Sequence, residues 1–232
     1  LPSLAQEGTV IALTLYFPPL SCYCQKVLVA LYENGTPFTP KLVNLGDPGE
    51  RADFLALWPM GKFPLLADGA RLVPESSVII EYLALHRAGP EALLPENPVA
   101  ALDVRRLDRF FDLYMTSPMQ KIVLDRIRPA ESKDPLGVDE AKEMLKRAYG
   151  VLEAELGDRS WSAGERFTMA DCSAAPALFY AERCVSFQSS YPRLAAYFER
   201  LRTRPSFARV LAEAEPFFQF FPRNPGDAEL SR

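Results

Sequence analysis

Proline limits what this chain can become. The 232 residues hold 21 prolines, yet long stretches carry apolar residues at helical spacing. Proline inside a helix removes a hydrogen bond and clashes with the preceding turn, at about 3 kcal/mol. Many helices and many prolines therefore coexist only if the prolines mark element boundaries, and the sequence places them that way. Residues 9–16 are rich in Val, Ile, Leu and Thr and read as a buried strand, stopped by Pro18-Pro19. Cys24, Val27, Leu28 and Leu31 then follow helical spacing until Asn34-Gly35 and Pro37. Residues 38–43 form a second strand. Asp47-Pro48 opens a short helix that Trp58-Pro59 ends, and Asp68-Gly69 joins two strands in a hairpin. Glu75-Ser76 starts another helix, with Ile79, Tyr82 and Leu83 inward.

The first part of the chain thus reads β-α-β-α-β-β-α. A non-periodic stretch, residues 88–98, separates it from a second part that is helical throughout. There Leu107, Phe110, Phe111, Tyr114 and Met115 form one apolar stripe, and Ala141, Met144, Leu145, Ala148 and Leu152 another. Two domains are expected, an α/β domain over residues 9–88 and an all-α bundle over residues 99–222. The polar residues 224–232 are expected to fray.

Composition narrows the function. Apolar residues at 48% and charged residues at 24% belong to a globular chain, which excludes wholesale disorder. A net charge of −4 without any Lys/Arg block argues against nucleic acid or an anionic membrane as the main partner. The charge-free residues 8–25 are interrupted by Pro18-Pro19, so no bilayer span is expected. The first seven residues lack the basic and apolar segments of a secretory leader. His86 is the single histidine, and the cysteines are Cys22, Cys24, Cys172 and Cys184. That set makes no standard zinc constellation and leaves no Ser-His-Asp hydrolase beyond His86 itself. No metal is expected. Cys172 and Cys184 are expected on one helix, too far apart to bridge. So few, unevenly spaced cysteines fit a reducing compartment, and a cytoplasmic location is expected.

Three constellations can carry chemistry. The first is Leu20-Ser21-Cys22-Tyr23-Cys24 between strand and helix. Unpaired N–H groups at a helix start stabilise a thiolate, and a Ser hydroxyl there can donate to a ligand's thiolate or simply cap the helix. Cys22, at the very start, is expected to be the more exposed and reactive thiol, with Cys24 turned into the helix-packing face. The second is Lys62-Phe63-Pro64 before a strand, where a cis proline would leave the Phe63 backbone to pair with an extended peptide. The third is Glu75-Ser76. N–H groups and a hydroxyl suit a carboxylate and the Glu suits an ammonium, although the same pair also serves as an ordinary helix start.

Taken in order and spacing, these motifs resemble the cytosolic glutathione transferase superfamily. The likeness extends from Leu13 to Phe221. Leu15-Tyr16, Leu20-Ser21 and Val27 are similar to the theta, zeta and tau pattern, which implies Ser21 as the catalytic residue. Lys62, Phe63 and Pro64 match the family's cis-proline element, and Glu75 and Ser76 its head-group site, which implies that these five bind glutathione. Gly164-Glu165-Arg166-Phe167-Thr168-Met169-Ala170-Asp171 resembles the family's buried capping box, a structural element.

Tyr16 stays open as an alternative catalytic residue, because Tyr16-Phe17-Pro18 resembles the tyrosine-type classes. Cys22 stays open as well, because Ser21-Cys22-Tyr23-Cys24 is similar to a glutaredoxin motif. The resemblance implies a thioredoxin-like domain joined to a helical one. It implies glutathione as co-substrate and its conjugation to a small electrophile, in a detoxifying homodimer. Phe17, Tyr114 and Met115 are the expected electrophile site. Two other functions fit the same motifs: a glutathione-dependent disulfide oxidoreductase, and a non-catalytic binding protein of this fold.

Overall fold

The computed structural model describes residues 13–223. The expected strand residues 9–12 and the expected tail, residues 224–232, lie outside them. β1 (Leu13–Phe17), α1 (Cys22–Glu33), β2 (Phe38–Leu42), α2 (Pro48–Leu57), β3 (Leu65–Asp68), β4 (Arg71–Pro74) and α3 (Ser76–His86) follow one another in that order. The sheet order is β2-β1-β3-β4, with β1 and β2 parallel and the other two pairs antiparallel. The hairpin turns one residue later than the motif implies. Asp68 still pairs with Arg71, and Gly69 takes φ 60, which a side chain would resist.

The remainder is helical: α4 (Pro98–Phe110), a π-helical segment (Phe111–Thr116), α5 (Ser117–Arg126), α6 (Pro135–Leu156), α7 (Met169–Ala181), α8 (Pro192–Thr203) and α9 (Pro205–Ala214). Pro occupies one of the first two positions of α2, α4, α6, α8 and α9, where no intrahelical N–H bond is lost. Some prolines depart from the boundary rule, Pro118 among them, as the second residue of an α5 that continues unbroken from the π-helical segment. Pro40 lies within β2, which is tolerated because β2 is an edge strand with mostly exposed side chains. Pro176 lies inside α7, a helix buried on every face and held by its neighbours. α7 ends at Ala181, so Cys184 lies beyond it and does not share a helix with Cys172.

α7 begins with the expected capping box, and the Asp171 carboxylate anchors more than the cap. It accepts from the Thr168 N–H at 2.8 Å, the Ser162 N–H at 2.9 Å and the Tyr197 hydroxyl at 2.6 Å. Three segments thus meet on one fully buried group. α1 packs on α3 within its own layer and on α7 and α9 across the junction, so one apolar core runs through both halves. A second, small cluster of Val43, Phe54 and Leu65 lies between sheet and α2. Among the described residues no helix is long and apolar enough to cross a membrane, and no group of three or more His, Cys, Asp or Glu is placed to hold a metal ion.

Candidate active site

A cleft of about 460 Å³ opens where the α/β layer meets α4 and the π-helical segment. Its wall includes Ser21, Lys62, Phe63, Pro64, Glu75 and Ser76, which are 55 residues apart in sequence at the extremes and converge because three loops end on one side of the sheet. Ser21 is the N-cap of α1, and its Oγ accepts the Cys24 N–H at 3.4 Å. Capping uses a lone pair and leaves the O–H free to donate, so the structural and chemical roles of this hydroxyl are compatible. The Phe63–Pro64 peptide is cis.

Glu75 sits at φ 71, ψ 118, a region that non-glycine residues rarely occupy, at a cost of about 1–3 kcal/mol. Its side chain makes no capping bond. The first-turn N–H groups of α3 have no intrahelical partners, which suits an incoming carboxylate.

The other expected residues do not line the cleft, although Cys22 contributes to the wall of the apolar recess beside it. Side chains of β1 alternate between faces. Tyr16 therefore points to the small cluster under α2, with its ring 6.1 Å from Phe54, and does not line the cleft. Phe17 is 7% exposed and belongs to the main core.

Cys22 is a correction, because it is 4% exposed. The first turn of α1 packs on α7, and its Sγ donates to the Pro176 carbonyl at 3.8 Å. Burial pushes this thiol well above its ordinary range, with Cys184, Cys24 and Asp112 acting in the same direction. Burial likewise pushes Cys24 up to about 12, against the Ser21 hydrogen bond.

Tyr114 and Met115 are corrected too. Met115 is 0% exposed in the core, and Tyr114 is 46% exposed but lines neither the cleft nor the recess described next. The i→i+5 bonding of residues 111–116 widens this turn and changes which side chains face inward. Phe111, Met115 and Met119 keep the core, while Asp112 and Leu113 take the cleft wall.

An apolar recess of about 200 Å³ adjoins the cleft, with Ser21 and Gln120 lining both. Its walls include Met119, Val123, Tyr180 and Phe221, the last two rings stacked at 5.2 Å.

Sequence reasoning missed Trp58, Tyr23, Arg109, Asp112 and Gln120, all on the cleft wall. One signal was available. Lys26 sits in a run of α1 that is buried from Cys24 to Leu31, and an ammonium there needs anionic partners. They are Asp108, with Oδ1 2.6 Å from Nζ, and Asp112, with Oδ2 at 3.0 Å. The Lys26 charge and hydrogen bonds from Lys26, Ser173 and Ser77 outweigh burial and hold Asp108 below the ordinary carboxylate range. Asp112 is raised, because burial and the Asp108 charge outweigh Lys26 and Arg109.

The fold and this cleft define a two-domain protein, thioredoxin-like in its α/β half and helical in the other, with a site suited to a small thiol peptide. Residues 15–91 match the N-terminal domain of glutathione S-transferase and residues 135–200 its C-terminal domain. The chain is 32% identical over 214 residues to glutathione S-transferase 3 of Zea mays, covering 86% of this chain and 93% of that one. Among solved structures, it is similar to a glutathione S-transferase from Methylobacillus flagellatus with GSH bound. That pair has 28% identity and a TM-score of 0.79, over 86% of this chain and 98% of the other. It is also similar to one from Methylobacterium radiotolerans in complex with glutathione sulfonate, at 26% identity and TM-score 0.76, over 94% and 98%. The chain belongs to the glutathione S-transferase family.

Proposed function

We propose that this protein conjugates glutathione to a small electrophile. The observation that carries the reading is the convergence of Ser21, Lys62-Phe63-Pro64 and Glu75-Ser76 on one cleft that adjoins an apolar recess across Ser21 and Gln120. Glutathione lies extended in the cleft. Its backbone pairs with Phe63, its γ-glutamyl carboxylate meets the start of α3 and Ser76, and its ammonium meets Glu75. The thiol gives up its proton to solvent, and the Ser21 hydroxyl donates to the resulting thiolate. The sulfur then forms a bond to the electrophilic carbon held in the recess. In a substitution the leaving group departs with the carbon's former bonding pair, and in an addition the neighbouring atom takes a proton from water.

Holding the thiolate is worth about 1.5–3 kcal/mol for one charge-assisted hydrogen bond. The burial of Cys22 speaks for chemistry on the ligand's sulfur rather than on a protein thiol. A homodimer in the cytoplasm goes with this reading. Exposed Val78 and Leu85 on α3, together with Val99 and Leu102 on α4, supply apolar surface for such pairing.

The test is calorimetry with glutathione, combined with the initial rate of thioether formation from a small nitroaryl halide. Binding with turnover is expected. A protein that binds no glutathione at millimolar concentration refutes the reading, and one that binds without turning over any aryl halide or enone is a binding protein of this fold.

A further inference from the structure

We infer that Lys26, which lines no part of the cleft, is a positioning residue for the ligand of that cleft, an inference that rests on the glutathione reading. Lys26 is 1% exposed and lies on α1, five residues beyond Ser21. Its Nζ donates to Ser77 Oγ at 2.8 Å, and Ser77 directly follows the Glu75-Ser76 pair at the start of α3. The same Nζ lies 2.6 Å from Asp108 Oδ1 and 3.0 Å from Asp112 Oδ2, on α4 and the π-helical segment. Ser77 Oγ in turn donates to Asp108 Oδ2 at 2.7 Å. Arg109 closes the cluster from the cleft side, with Nη2 2.9 Å from Asp108 Oδ2 and 3.0 Å from Asp112 Oδ2.

Two cations and two carboxylates balance. The arrangement is over-determined, because a buried charge without its partner is costly and no member can drift alone. One ammonium therefore fixes three cleft walls relative to one another. These are the helix start that carries Ser21, the helix start that carries Glu75 and Ser76, and the wall that carries Arg109 and Asp112. Affinity for a peptide that touches all three walls depends on that spacing, whereas chemistry at Ser21 depends on it less.

The experiment uses variants that leave every cleft residue in place. Lys26→Met combined with Asp108→Asn keeps the cluster neutral, since Asp112 and Arg109 remain paired. Ser77→Ala cuts only the tie to α3. Both should raise the KM for glutathione about tenfold while kcat stays within about threefold, the signature of lost uniform binding. Tyr149→Phe removes a hydroxyl bonded to the Val185 carbonyl far from the cleft and controls for general destabilisation; its KM should not move. A folded double variant with KM within about twofold of the parent overturns the inference, as does a loss confined to kcat. Should the double variant not fold, Ser77→Ala decides by the same criterion. Absence of glutathione binding in the parent protein would overturn the functional reading, and the inference with it. Parent binding with unmoved variants overturns the inference alone.

Discussion

Ser21 Oγ accepts the backbone N–H of Cys24 at 3.4 Å, at the long end for a helix cap. A cap this long contributes at the low end of the usual range, about 0.5 kcal/mol. Ser21→Ala should therefore leave the melting temperature nearly unchanged. It should raise the thiol pKa of bound glutathione by roughly one to two units, the equivalent of one charge-assisted hydrogen bond. Thiolate absorbance across a pH titration of the complex measures this. An unchanged thiol pKa in Ser21→Ala would remove Ser21 from the chemistry.

At Glu75 stability and binding should separate. Glycine has no Cβ to strain at φ 71, so Glu75→Gly relieves the backbone, at some entropic cost, while deleting the carboxylate that meets the ammonium. The expected result is a melting temperature equal to or above the parent's, with glutathione KM raised about tenfold or more. Thermal melts and initial rates on the same sample check both. A variant that is less stable yet binds normally would mean that the strain serves packing and not the ligand.

The elements around these residues were largely legible in the sequence. Proline positions, the Asp68-Gly69 turn and the capping box are local signals, and each states a backbone requirement within a few residues. Of the cluster around Lys26 only the lysine itself gave a signal, because its carboxylate partners Asp108 and Asp112 lie on the other domain. The apolar recess failed for a related reason. It is assembled from the start of α1, from α5, from the end of α7 and from Phe221, and no periodicity links those places. Met115 belongs to a stripe with Leu107, Phe111 and Met119 at steps of four, and that regular spacing assigns it to the core rather than to an electrophile site.

The buried cysteines give the fold an alkaline limit. Unfolded thiols ionise near ~8.5. In the fold, burial pushes Cys24 up to about 12 and moves Cys22 and Cys172 well above their ordinary range. The unfolded chain therefore loses these protons first. Their contribution to stability is whole below pH ~8.5 and declines as pH rises toward the folded values, by about 1.4 kcal/mol per pH unit for each cysteine. Denaturant titrations at three pH values above 8 should show this fall, and Cys24→Ala should lessen its slope by one cysteine's share. Equal slopes in parent and variant would contradict the assignment.

Cys22 tests the choice between conjugation and disulfide exchange. A thiol that is buried, neutral and bonded to the Pro176 carbonyl is a poor nucleophile. Cys22→Ala should keep most of the conjugation rate with an aryl halide, and Cys22 should resist alkylation at pH 8 until the chain is unfolded. Mass spectrometry of the alkylated native protein reads the second point. Loss of both conjugation and disulfide reduction in Cys22→Ala, with glutathione binding intact, would assign the reaction to the protein thiol.

Phe221 should govern the electrophile and leave glutathione alone. It lines the recess but not the cleft, and its ring stacks on Tyr180 at 5.2 Å, so it offers an aromatic wall beside the point where Ser21 and Gln120 join the two spaces. Removing a ring that a substrate stacks against forfeits about 0.5–1.5 kcal/mol beyond the lost apolar area. Phe221→Ala should thus raise the KM for an aryl electrophile by about tenfold, with the KM for glutathione within about twofold of the parent. Tyr114→Ala, at a half-exposed ring outside both spaces, should change neither. Bisubstrate kinetics on the two variants settle it. If Tyr114→Ala carries the larger electrophile effect, the electrophile binds over the π-helical turn and not in the recess.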